Sequence, residues 1–167
     1  YAPNINQYHT INHLKGIETK ETRNILEESA RIARGQVKDM AELKAQDYDM
    51  LVIPGGFGVA KNLSNFAFAG DKFEVHEAFE KVIMDFYNHK KVMAFCCISP
   101  LIAAKVLNKN GIKAKISMGS KAEPCKFAST IDIVKNLGHQ HIDTFVQAHS
   151  VDEVNKIYCT PCYMYSN

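Results

Sequence analysis

A chain of 167 residues that is 46% hydrophobic and 23% charged has the composition of an ordinary globular domain and the length to bury a sizeable core. Its 20 Lys and Arg against 18 Asp and Glu leave a net charge of only +2, with the lysines scattered, so the charge balance points to neither nucleic acid nor an anionic membrane. No apolar run approaches the roughly 18 residues needed to span a bilayer, and the first residues, YAPNINQYHT, carry neither a secretory apolar segment nor the arginines of a transit peptide. Five cysteines, two of them adjacent, in a chain too large to need staples imply free thiols in a reducing compartment.

In chain order, TRNILEESARIAR predicts a helix from Thr22 to Arg34 stopped by Gly35, and a short second helix covers Asp39 to Ala45. DMLVIP, Asp49 to Pro54, is a buried strand ending at Gly55-Gly56. An amphipathic helix follows from Glu74 to His89, with Val75, Ala78, Phe79, Val82, Ile83 and Phe86 on one face. Val92 to Cys96 is a second buried strand, and helical spacing resumes at Leu101, Ile102 and Val106 with Pro100 in the first turn, where its missing N–H costs nothing. Beyond it lie a strand at Lys113 to Met118, a helix at Ser129 to Leu137 closed by Gly138, and strand-like runs at Ile142 to Ala148 and Lys156 to Cys159. Without repeats or composition breaks, this order predicts one unit over residues 1–167, a doubly wound α/β fold with a mostly parallel sheet and helices on both faces.

In such sheets ligands collect beyond the carboxyl ends of the strands. Two of those ends are unusual. At PGGFG, Pro54 to Gly58, glycines allow a backbone amide to approach a ligand closely. At Cys97 the chain turns from strand to helix, where the first helical amides favour a thiolate, whereas Cys96 is still inside the strand and faces another way. If the strands are neighbours, the amides of Gly56 and Ile98 converge on an oxygen beside the Cys97 sulfur, which is an oxyanion hole next to a nucleophile. The plainer alternative keeps both cysteines as small core side chains and the glycines as an ordinary turn.

The motifs ETRNILEESARIARG, PGGFGVAKNLSNFA, AFCCISPLIAAKVL and TPCYM, in that order, resemble the enhancing-lycopene-biosynthesis (sigma cross-reacting) proteins and their mitochondrial eukaryotic relatives, in the ThiJ/PfpI branch of the class I glutamine amidotransferase-like superfamily. The resemblance runs from Tyr1 to about Met164 and is weakest from Ser120 to Phe127. It implies a flavodoxin-like sandwich in which the elbow cysteine is Cys97, followed by Ile98, Ser99 and Pro100, with Cys96 as a buried neighbour. Three departures stand out. Many superfamily members have a histidine directly after the nucleophile, where this chain has Ile98. Relatives also carry a strand, a helix and a further strand before the point matching YAPN, including an acidic residue that touches the cysteine, and they continue past TPCYM into a helix. The placement implied around QAHSVD is mitochondrial, with the cytoplasm as the alternative.

The leading functional expectation is a glutathione-independent, glyoxalase-type enzyme acting on small carbonyls, with Cys97 as nucleophile, Gly56 and Ile98 donating amides, and no metal or organic cofactor. Gly55, Lys61 and Asn62 beside the glycine turn, and His149, which matches a histidine of the mitochondrial relatives, are the expected substrate-binding residues. The alternative is a catalytically weak member that serves as a binding or assembly subunit; a homodimer or a place in a larger assembly is expected in either case. Three further groupings are weighed and set lower. Cys159-Thr160-Pro161-Cys162 has thioredoxin spacing without room for the following helix. His139 and His141 have the spacing of two ligands on one strand face but no partner carboxylate or thiol. Arg23, Arg31 and Arg34 read as surface charges on an amphipathic helix.

Overall fold

The computed structural model describes residues 1–122 and 127–165, so Cys125 and half of the stretch that least resembles the family lie outside the described residues. The chain divides into two compact units, Tyr1–Leu43 and Lys44–Asn167.

In the first unit, β1 (Thr10–Asn12) and β2 (Ile17–Thr19) form an antiparallel hairpin that the sequence reading does not anticipate. Three-residue strands are too short to show a period. The helix α1 (Ile25–Ala33) begins later than Thr22 because Asn24 caps it, accepting from the amides of Leu26 and Glu27 at 2.8 and 3.2 Å. It ends as expected: Arg34 turns left-handed at φ 52°, and the Gly35 amide donates to the Ala30 carbonyl at 2.8 Å. The short helix expected over Asp39–Ala45 is instead a 3₁₀ turn, Met40–Glu42, capped by the Asp39 side chain, with a second such turn at Ala45–Asp47 in the other unit.

The second unit is built from β3 (Met50–Ile53), α2 (Phe57–Lys61), α3 (Phe66–Ala69), α4 (Glu77–Asn88), β4 (Val92–Cys96), α5 (Ser99–Lys109), β5 (Lys115–Ile116), α6 (Ser129–Asn136), β6 (Gln140–His141), β7 (Ser150–Asp152) and β8 (Ile157–Thr160). The main sheet has the order β3-β4-β8-β7. The first three strands are parallel, and only β7 runs against its neighbour. The expected mostly parallel α/β architecture is therefore present. The register pairs Ile53 with Phe95 and Cys96 with Thr160, so β3, β4 and β8 finish at the same end. β5 and β6 form a separate parallel pair.

Burial alternates along the strands because successive side chains point to opposite faces. Leu51, Ile53, Met93, Phe95, Ile157 and Cys159 face inward, and α4 and α5 pack on β4. From α4 come Phe79, Val82, Ile83 and Phe86, four of the six positions expected on its apolar face. The opposite strand positions are open: Met50, Val52 and Tyr158 remain 47, 55 and 40% exposed. The strand-like run Ile142–Ala148 is not a strand. Phe145 and Val146 are adjacent and both about half exposed, so the apolar letters do not mark one buried face, and the Ala148 amide closes a turn onto the Phe145 carbonyl at 2.9 Å.

Candidate functional site

Two turns meet at the carboxyl end of the sheet. β4 ends at Cys96, and Cys97 takes up φ 59°, a left-handed conformation that costs a residue with a β-carbon on the order of 1–2 kcal/mol. Ile98 then caps α5, with Pro100 in its first turn. This strand, strained residue and helix form an elbow that lifts one side chain off the end of the sheet. The Cys97 amide is committed to the sheet, donating to the Thr160 carbonyl at 3.1 Å. Its sulfur lies 3.8 Å from Met164 Sδ.

The glycine turn follows β3, the parallel neighbour of β4. Gly55 and Gly56 have φ of 91° and 87°. A β-carbon on Gly55 would lie 2.5 Å from the Cys96 carbonyl oxygen, 3.0 Å from Cys97 Cβ and 3.3 Å from the Ile98 nitrogen. Gly55 is thus required by contact as well as by conformation: the two turns touch backbone to backbone. Gly56 caps α2 and Ile98 caps α5, positions whose N–H groups have no intrahelical acceptor.

The sequence-derived site residues divide into two groups. Gly55, Gly56, Cys97 and Ile98 are brought together. Lys61 and Asn62 lie at the far end of the five-residue α2, with the Lys61 ammonium 5.0 Å from the centroid of the Phe57 ring and the Asn62 amide donating to the Gly58 carbonyl at 2.9 Å. His149 precedes β7, exposed, its ring stacked on Tyr158 at a centroid distance of 6.5 Å. Thr160 links that corner to the elbow, since its hydroxyl donates to the Ala148 carbonyl at 3.2 Å while its carbonyl holds the Cys97 amide.

Ser99 is the residue that sequence reasoning passed over. It is buried, and its hydroxyl accepts from the Cys96 amide at 2.9 Å and lies 2.8 Å from both the Ile53 and Cys96 carbonyl oxygens. One hydroxyl therefore ties the ends of β3 and β4 to the start of α5. A serine three residues after a strand end, before a proline, is the available signal, but it reads equally as an ordinary cap.

The other groupings have structural partners. The buried His139 ring accepts from the Ala114 amide at 3.2 Å through Nδ1 and donates to the Ala104 carbonyl at 2.8 Å through Nε2, and burial lowers its pKa although the Ala104 bond opposes this. His141 Nε2 accepts from the Met118 amide at 3.1 Å, and burial lowers its pKa too. Among the described residues no group of three or more His, Cys, Asp or Glu side chains could hold a metal ion. Arg23 is held by Glu21 at 2.6 Å, and Arg31 lies 3.4 Å from Glu28. Cys159 and Cys162 do not act as a pair of equals: Cys159 is buried, with its thiol pushed up to about 12 chiefly by burial, and Cys162 is exposed. No helix among the described residues is long and apolar enough to cross a membrane.

Comparison with known proteins follows the same motifs. No protein-family model matches the chain. It is 42% identical to the rat "ES1 protein homolog, mitochondrial" over 168 residues, 98% of this chain and 62% of the relative. It is 42% identical to the human "Glutamine amidotransferase-like class 1 domain-containing protein 3, mitochondrial" over 98% of this chain and 61% of that protein, and 30% identical to the zebrafish "ES1 protein, mitochondrial" over 99% and 64%. The chain thus spans less than two thirds of the length of these curated relatives. Among solved structures, an isoprenoid biosynthesis protein with an amidotransferase-like domain from Ehrlichia chaffeensis superposes with a TM-score of 0.84 at 37% identity, covering 99% of this chain and 71% of that one. All three curated names include the word mitochondrial, which bears out the placement expected from the motifs.

Proposed function

Because this chain belongs to the glutamine amidotransferase-like class 1 family, we propose that it uses the Cys97 elbow in glyoxalase-type chemistry on small dicarbonyls, without glutathione. The observation that carries this reading is the contact between the two turns: a strained, left-handed Cys97 against which only a glycine fits at position 55. Strain of this kind concentrates at functional turns because the surroundings must hold it in place.

The chemistry needs few parts. The Cys97 sulfur adds to one aldehyde of glyoxal, forming a C–S bond as the carbonyl π pair moves onto oxygen. The amides of Gly56 and Ile98 stabilise that oxyanion. A base moves a proton from the sulfur-bearing carbon to its neighbour, which turns the hemithioacetal into a thioester of a hydroxy acid. Water then cleaves the C–S bond, releasing glycolate and the thiol. By family resemblance the base is an acidic residue. Gly55, Lys61, Asn62 and His149 are the proposed substrate contacts, and neither a metal nor an organic cofactor enters any step.

Cys97→Ser in the full-length protein should abolish glyoxal consumption, whereas Cys96→Ser and Cys159→Ser should retain most of it. Full activity in Cys97→Ser would overturn the nucleophile assignment. A second reading, a binding or assembly subunit of low catalytic power, is favoured by Ile98 in the place of the usual histidine, 7% exposed and without a titratable group, and by His149 stacked on Tyr158. Absence of glyoxal turnover in a folded wild-type protein would select it. In either case the exposed apolar strand positions Met50, Val52 and Tyr158 support self-association as a homodimer or burial in a larger assembly. A monodisperse monomer in sedimentation at micromolar concentration would refute that.

A further inference from the structure

The Cys-Thr-Pro-Cys motif is separated by the fold, and one of its cysteines acquires a different neighbour. Cys159 points into the core of the sheet. Cys162 follows β8 at φ 43°, a left-handed conformation. Its sulfur lies 3.6 Å from the Thr160 hydroxyl. Thr160 is the register partner of Cys96 on the parallel strand β4, and partners in adjacent strands put their side chains on the same face. Cys96, Thr160 and Cys162 therefore form one row above the end of the sheet. Cys96 and Cys162 thus share Thr160 as a neighbour, Cys96 across the strand pair and Cys162 through the 3.6 Å contact, and burial, followed by the charge and hydrogen bond of Cys162, raises the Cys96 pKa.

We propose that Cys96 and Cys162 are a reversible dithiol/disulfide pair that responds to hydroperoxides and latches the segment after β8 over the Cys97 elbow. Cys162 is exposed and meets the oxidant first, while Cys96 is half-buried and resolves. The Cys162 sulfur attacks a peroxide oxygen, so that an S–O bond forms, the O–O bond breaks, and hydrogen peroxide leaves one water and a sulfenic acid. Cys96 sulfur then attacks the Cys162 sulfur: the S–S bond forms, the S–O bond breaks, and the departing hydroxide takes the Cys96 proton as a second water. Two electrons pass from the thiols to the peroxide. The link holds residues 162–164 in place, including Met164, whose sulfur is 3.8 Å from Cys97 Sγ. The oxidised form therefore covers the elbow sulfur more persistently than the reduced form.

The purified protein, reduced and then treated with equimolar hydrogen peroxide, is digested without reductant and sequenced by tandem mass spectrometry. The expected product joins the peptide from Val92 to Lys105 to the peptide from Ile157 onward, and dithiothreitol separates them. Each peptide carries two cysteines, so variants assign the bond: Cys97→Ser and Cys159→Ser keep the link, and Cys96→Ser and Cys162→Ser lose it. In the oxidised protein iodoacetamide should reach Cys97 more slowly than in the reduced protein. A link that survives Cys96→Ser, or oxidation of the wild type to sulfinic acids with no link, overturns the pairing. Equal rates at Cys97 in the two forms overturn the latch. No step of the test depends on glyoxal turnover, so its failure is distinguishable from failure of the proposed reaction.

Discussion

Gly55 lies against Cys97 so closely that a β-carbon at position 55 would sit 3.0 Å from Cys97 Cβ and 2.5 Å from the Cys96 carbonyl oxygen. The neighbouring Gly56 has a similar φ of 87°, but nothing lies within 4 Å of the place a β-carbon would take. The two glycines separate conformational strain from steric contact. Gly56→Ala should cost about 1–3 kcal/mol, the usual range for a side chain in a sparsely populated backbone region. Gly55→Ala should cost more, because it also forces backbone away from backbone at the elbow. Urea unfolding of both variants measures the difference, and equal losses would show that the contact is relieved at no cost.

Ser99 makes the second test of how the elbow is held. Its hydroxyl is the described partner of the Cys96 amide and lies within hydrogen-bonding distance of two carbonyls. Ser99→Ala leaves a buried donor unpaired, at about 1–3 kcal/mol. A change in unfolding free energy below about 0.5 kcal/mol, the usual size of a surface substitution, would mean that Ser99 does not join the strands to α5.

His139 and His141 give a pH dependence whose sign follows from burial. Both pKa values are lowered in the fold, so between the folded values and the unfolded value near 6.5 the unfolded chain binds more protons. Stability from these rings is complete above about pH 6.5 and is lost as the pH falls through the folded values. Denaturant midpoints should therefore drop between pH 7.5 and 5.5, and His139→Gln should flatten that slope. A wild-type midpoint independent of pH over this range would contradict neutral, backbone-bonded rings.

Asp152 acts in a lower window. Burial opposes its ionisation, but bonds from the Asn155 side chain at 2.8 Å and the amides of Lys115 at 2.7 Å and Asn155 at 3.1 Å outweigh it, and its pKa is lowered. The stabilisation is present above the unfolded value near 3.9 and disappears as the pH falls through the folded one. Asp152→Asn should reduce stability at pH 7 and make the acid limb shallower below pH 4. An acid limb identical to the wild type would show that the carboxylate does not hold β7 to β5.

The parts of this fold that could be read from sequence are those with long apolar patterns or strong punctuation. DMLVIP, VMAFC and the helix around Phe79 to Phe86 occur where expected, because an apolar run with sharp bounds or a face repeated over several turns marks them, although in the first strand only Leu51 and Ile53 are buried while Met50 and Val52 stay open. The hairpin at Thr10–Thr19 and the two-residue strands β5 and β6 are too short to leave such a trace. The elbow was legible as a strand-to-helix turn with cysteine and glycine at two strand ends. What no spacing conveys is that Gly55 touches Cys97, that Ser99 joins both strands, or that Cys162 turns away from Cys159. Each of these depends on the β3-β4-β8 pairing, which brings together residues more than 40 positions apart.

The reactivities of the cysteines provide the last and most direct check on the site. Burial pushes the Cys159 thiol up to about 12, so at pH 7 its thiolate fraction is on the order of 10⁻⁵ by the Henderson relation. Burial, followed by the charge and hydrogen bond of Cys162, also raises Cys96. Since the thiolate is the species that alkylates, both should resist limiting iodoacetamide in the native protein. Cys162 is exposed and competes for the reagent, so the informative background is Cys162→Ser. There Cys97, half-buried on its strained turn, is the expected first site of modification, with Cys159 modified only after denaturation. Peptide mapping over a time course reads the order. Modification of Cys159 in the folded protein at the rate of Cys97, or of Cys96 ahead of Cys97, would place the accessible sulfur on the wrong residue and remove the basis for carbonyl chemistry at the elbow.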